Sequence, residues 1–118
     1  MNIENAKAQM RKGFLEMITL LIISGKEAYP SDILKTLKEN HLIVVEGTMY
    51  PLLTRMKNAN YLGYNWQESL SGPPRKYYYI TDEGRNFLNE LLDDWRSLNN
   101  VVKSISDDSL QIEQIGVG

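Results

Sequence analysis

The sequence predicts a mainly α-helical chain with one small β-hairpin. Three observations carry this. Apolar residues recur at spacings of three and four in separate segments, the mark of amphipathic helices. Two runs rich in Tyr, Trp and Ile flank a Ser-Leu-Ser-Gly-Pro-Pro cluster, the mark of a hairpin. Near the end, apolar residues fall into a heptad pattern, the mark of a helix that packs on another helix.

The elements follow in order. Ile3, Ala6, Met10, Phe14, Met17 and Leu21 share one helical face, and the pattern thickens into Leu20-Leu21-Ile22-Ile23. This places helix 1 at about 5–24, with Gly25 free to end it in a left-handed conformation. Pro30 suits a first helical turn, where its missing N–H would have no partner, and Asp32 suits the positive end of the dipole. Helix 2 spans about 30–40. His41 follows that end as a surface or capping residue, and His41–Val45 reads as a tight connection or a small strand. Helix 3 runs from about 47 or 48 to Asn60, its start set by Pro51, which a helix tolerates only in its first turn. Tyr61–Glu68 and Arg75–Ile80 are the strands, and Ser69–Pro74 is the turn. Thr81 caps a last helix that reaches about Ile105, and Ser106–Gly118 reads as a mobile acidic tail.

This order fits a winged helix-turn-helix over 1–80, a C-terminal dimerisation helix over 81–105 and a tail over 106–118. Helices 2 and 3 form the helix-turn-helix and the hairpin is the wing. A three-helix core with a hairpin also occurs in protein-interaction modules, so the order alone leaves both readings open.

Composition narrows the function. The 118 residues are 42% apolar and 24% charged, as in ordinary globular domains. No apolar run approaches the ~20 residues a membrane span needs, and the N-terminus has no signal-peptide core. Without cysteine there is no disulfide, thiolate zinc site or cysteine nucleophile, and the chain is expected in the cytoplasm. The single histidine rules out a multi-histidine metal site. Asp93 and Asp94 point about 100° apart on a helix and form no carboxylate dyad. No nucleophile, base and orienter set is present, so the chain reads as a non-enzyme without cofactor or metal. Residues 1–80 carry ten Lys/Arg against seven Asp/Glu, and 81–118 carry three against eight. A mildly basic body with an acidic tail suits a body that approaches phosphate.

Glu46-Gly47-Thr48-Met49-Tyr50-Pro51-Leu52-Leu53-Thr54-Arg55-Met56 resembles the E-G-T-[LMI]-Y-P-x-L-x-R-[LM] signature of PadR-family transcriptional regulators. Lys12-Gly13-Phe14-Leu15-Glu16, Gly72-Pro73-Pro74-Arg75-Lys76-Tyr77-Tyr78 and Ile80-Thr81-Asp82-Glu83-Gly84 resemble further motifs of that family, in order and in register over about 10–100. The short single C-terminal helix resembles its small subfamily. The resemblance implies a homodimeric repressor of transcription on double-stranded operator DNA, often released by a small aromatic or drug-like effector. Val45 stands where a serine or threonine is common, and Tyr29-Pro30-Ser31-Asp32 stands where Y-G-Y-E is common.

Candidate DNA contacts are Tyr29, Ser31, Thr48, Tyr50, Arg55, Arg75 and Lys76. Thr48 and Tyr50 open helix 3, whose early residues either meet base edges and phosphates or cap the helix and pack on the wing. Arg55 reaches a phosphate or braces a carboxylate such as Glu46. Arg75 and Lys76 follow the Gly-Pro-Pro turn, which would project both cations from the wing tip. Tyr77 and Tyr79 share one strand face and Tyr78 the other, an arrangement for packing or for base stacking. Leu88, Leu91, Trp95, Leu98, Val102 and Ile105 form the heptad seam and the candidate dimer interface, with helix 1 as its partner. Trp95, with Phe14 and Met17, is the candidate effector site.

Overall fold

The computed structural model describes residues 2–116, with side chains as far as Asp108. Four helices and one antiparallel hairpin appear in the order α1, α2, α3, β1, β2, α4. The chain divides into two compact units, Met1–Leu88 and Asn89–Gly118.

Helix α1 (Ile3–Gly25) starts where the Asn2 side-chain carbonyl accepts the Asn5 N–H at 2.8 Å. The cap rather than the apolar period sets the start, so the helix begins slightly earlier than expected. It ends through Lys26 in extended backbone, and Gly25 is still helical, so no left-handed glycine forms the stop. Its inner face buries Leu15, Met17, Leu20 and Ile23. Thr19 is buried among them, and its hydroxyl has no hydrogen-bond partner. An orphaned buried hydroxyl costs about 1–3 kcal/mol. Thr19→Val keeps the shape and removes the orphan, so it is expected to stabilise the protein by about 1 kcal/mol. Urea unfolding at fixed protein concentration checks this: the midpoint should rise with unchanged slope. A lowered midpoint would mean that the hydroxyl is satisfied.

Helix α2 (Pro30–Glu39) opens on Pro30, and the Asp32 carboxylate accepts the Tyr29 N–H at 3.0 Å. It buries Ile33 and Leu37. Both α2 and α3 end in the same way, each with a left-handed residue that is not glycine. His41 has φ 66°, His41 N–H bonds Lys38 O, and Leu42 N–H bonds Leu37 O. Asn60 also has φ 66°, Asn60 N–H bonds Lys57 O, and Tyr61 N–H bonds Met56 O. These are Schellman closures, which satisfy the last carbonyls of each helix. His41 is therefore the capping residue the sequence suggests.

Helix α3 (Glu46–Asn58) buries Met49, Leu52, Leu53 and Met56 against the rest of the first unit. Its start at Glu46 corrects the expectation drawn from Pro51, which lies inside the helix rather than in its first turn. Val45 supplies only a backbone cap, accepting the N–H groups of Thr48 at 3.0 Å and Met49 at 3.1 Å.

Strands β1 (Leu62–Ser69) and β2 (Gly72–Ile80) pair antiparallel, with Leu62 opposite Ile80 and Gln67 opposite Arg75. The expected six-residue turn is only Leu70-Ser71, because Gly72-Pro73-Pro74 belongs to β2. Prolines are tolerated in an edge strand, where a missing donor breaks few ladder bonds. Tyr79 lies over Gly63, where a Cβ would strike its ring. A third short edge comes from Ala28, whose N–H and C=O both pair with Tyr78 at 3.0 and 2.8 Å. The extra β pairing is thus a single-residue bridge at Ala28, and Leu42–Val45 is a plain connection.

Helix α4 (Asp82–Gly116) is capped by Thr81, whose Oγ1 accepts the Gly84 N–H at 2.9 Å and donates to the Asn60 carbonyl at 2.6 Å. Gly84 is required here, since a Cβ would collide with the Tyr61 carbonyl and Ile80. Tyr61 and Phe87 stack at 4.1 Å. The helix does not stop at Ile105. It contains no proline to interrupt it, so the backbone stays helical through most of the expected tail, whose Val117 and Gly118 lie outside the described residues. No helix among the described residues is long and apolar enough to cross a membrane.

Candidate nucleic-acid interface

The helical repeat puts Met49, Leu52, Leu53 and Met56 inward, so Thr48, Tyr50, Thr54 and Arg55 are left exposed on the remaining surface of α3. Successive hairpin residues alternate faces. Leu62, Tyr78 and Ile80 enter the core, while Lys76 and Trp66 extend the same face outward beyond it.

A groove of about 320 Å³ lies where α2, α3 and the hairpin meet. Ser31 from α2, Tyr50 and Thr54 from α3, and Trp66, Arg75 and Lys76 from the hairpin all line it. The structure therefore gathers Ser31, Tyr50, Arg75 and Lys76 at one place, with Tyr29 attached through Arg75. Thr54 and Trp66 are additions. Thr54 lies one turn after Tyr50, and Trp66 is the cross-strand neighbour of Lys76. Their signals in the sequence were the spacing of four and the strand register.

The two cations are not at the wing tip. They pair with Gln67 and Trp66, several residues back from Leu70-Ser71, because the prolines continue the strand. Each is held by an aromatic ring. The Arg75 guanidinium lies 4.0 Å from the Tyr29 ring centre, and its Nη2 donates to Ser31 Oγ at 2.7 Å. Tyr77 backs Tyr29 at 4.8 Å. Lys76 Nζ lies 4.6 Å from the Tyr64 ring centre and 5.6 Å from that of Trp66. Such contacts contribute about 0.5–1 kcal/mol at exposed sites and restrict where each charge points. Tyr78 is buried beside Tyr64 at 5.5 Å between ring centres, so the three tyrosines serve packing. Burial pushes the Tyr78 phenol above its ordinary value, and the Tyr64 and Tyr50 phenols push the same way.

Thr48 and Arg55 lie away from the groove. Thr48 is exposed at the start of α3. Arg55 braces a carboxylate, but that of Glu16 on α1, at 2.9 Å, in place of the suggested Glu46. Both partners are substantially exposed, so the pair is worth at most about 1 kcal/mol.

The other candidate residues divide between the units. Met17 is buried in the first unit and Phe14 is half-buried there. Leu88 is only 4% exposed within its own chain and Leu91 is half-buried, so the open part of the seam starts at Trp95. In the second unit Trp95, Leu98, Val102 and Ile105 are exposed, joined by Val101, which strict heptad spacing omits.

Comparison with known proteins agrees with this architecture. The model of the transcriptional regulator PadR-like family matches residues 19–90. A PadR-like transcription factor from B. fragilis is 55% identical over 86% of this chain and 98% of its own, with a TM-score of 0.75. A PadR-like transcriptional regulator from Bacillus cereus is 39% identical over 82% of this chain and 95% of its own, with a TM-score of 0.72. A PadR family regulator from Eggerthella lenta is 30% identical over 87% and 90%, with a TM-score of 0.80. With its α2–α3 pair, its wing and these matches, the chain belongs to the PadR-like family of transcriptional regulators.

Proposed function

We propose that this regulator is a homodimeric repressor that binds a specific double-stranded operator. The groove carries this reading: exposed polar groups of α3 stand beside two cations of the hairpin. Exposed early residues of a recognition helix read base edges in the major groove, and cations beside them hold phosphates. The basic balance of residues 1–80 agrees with approach to a polyanion. The bare apolar stripe of α4 supports a second copy as partner. Release by a flat aromatic molecule stacking on the exposed Trp95 completes the reading.

The test is to sequence the DNA fragments that the purified protein retains, then measure operator and random duplexes at several salt concentrations. Thr48→Ala should weaken the operator more than random DNA. Equal loss on both removes Thr48 from base reading, and no retention at all favours a winged-helix module that binds protein instead. Aromatic compounds added to the same assay should release DNA from the wild type but not from Trp95→Ala.

A further inference from the structure

A second cavity, of about 460 Å³, opens on the opposite side of α3 from the groove. Its walls come from α1, from the connection Leu42–Val45 and from α3. Two properties define its chemistry. The apolar lining is wholly aliphatic, with Leu15, Leu42, Val44 and Leu52 among it and no aromatic ring. Every charged residue in the lining is a cation: Arg11, Lys12 and Arg55. Arg55 is engaged by Glu16, but Arg11 and Lys12 form no ion pair among the described residues.

The connection adds to this. Ile43 is 79% exposed and Val45 64% exposed, so two aliphatic side chains stand open in a short segment locked between two helices. Val45 also occupies the N-cap of α3, where an acceptor side chain is usual, and offers none. Aliphatic walls, two unpaired cations and an uncapped helix start call for an aliphatic body with an anionic end. Inorganic phosphate would leave the walls without a partner, a neutral alkanol would leave the cations without one, and a flat ring finds no ring to stack on.

We infer that this cavity binds a medium-chain aliphatic carboxylate, its head on Arg11 and Lys12 and its chain against the aliphatic wall. Binding stands apart from any DNA reading. Its consequence rests on the proposed function: a carboxylate held beside Thr48 neutralises two cations and sets a negative charge near the start of α3, so operator affinity falls.

Calorimetric titration with octanoate, octanol and inorganic phosphate tests the site. Octanoate should saturate at one per chain. Losing charge-assisted hydrogen bonds should weaken binding by about tenfold or more, both for octanol and for octanoate on the double variant Arg11→Ala/Lys12→Ala. Ala8→Phe fills the cavity from an exposed position on α1 and should abolish binding while leaving the melting transition intact. Trp95→Ala should bind octanoate as the wild type does, which separates this site from an aromatic effector at Trp95. No saturable octanoate binding, binding that survives Ala8→Phe, or phosphate binding as tight as octanoate would each overturn the site. A wild type that binds octanoate yet keeps its operator would retain the site and overturn the regulatory step.

Discussion

Leu91→Asp combined with Leu98→Asp is expected to break the proposed dimer into monomer or aggregate. Leu98 is 56% exposed within its own chain, and Val102 and Ile105 continue the stripe at the same helical period. Such a stripe is stable in water when a second helix covers it. Two carboxylates per chain, four across a two-fold interface, would be buried without partners, at a cost of several kcal/mol. Light scattering and sedimentation read the outcome. Leu88→Asp is the contrast, because Leu88 is buried inside its own unit: that variant should lose its folded structure rather than its partner. A double variant that stays dimeric would place the interface outside α4.

Arg75→Ala together with Lys76→Ala is expected to flatten the salt dependence of DNA binding. Each phosphate held contributes about 0.9 to the slope of log K against log salt, so releasing one phosphate per chain lowers a dimer's slope by about 2. Operator and random duplexes should weaken alike, since phosphate contacts carry no sequence information. Tyr29 and Ser31 sharpen the test. They hold the Arg75 guanidinium in one place, so Tyr29→Leu should weaken binding with Arg75 still present. Unchanged slopes in the double variant would remove the hairpin from the phosphate-binding surface.

The helices and the hairpin were legible because their periods run over many residues. Thr81 as the cap of α4 was legible because a hydroxyl before an acidic turn has a specific acceptor role. What escaped was local or long-range. Ala28 pairs through a single residue and has no period to show. The turn misled because Gly-Pro-Pro usually breaks strands, whereas here a free edge accommodates it. Pro51 misled because a proline inside a helix is costly, yet α3 carries one. The tail misled because polar helix has little apolar pattern, while helical backbone does not require one. In the candidate site, residue types were legible but partners were not. Nothing in the chain order joins Arg75 to Ser31 or Arg55 to Glu16, pairs 44 and 39 residues apart.

Pro51 also divides α3 in time. Its nitrogen carries no hydrogen, so the rung that would close on the Gly47 carbonyl is missing from the ladder. Glu46–Thr48, all exposed, can then open without unzipping the stretch from Met49 to Met56, where Met49, Leu52, Leu53 and Met56 are anchored in the core. In hydrogen–deuterium exchange, the amides of Thr48 and Tyr50 should exchange faster than those of Leu53 and Met56, by the free-energy difference between local and global opening. Pro51→Ala should restore the rung and slow the first pair toward the second. Helix α3 would then be a rigid stem with a separately adjustable first turn, able to settle onto a surface while the core beneath it stays closed.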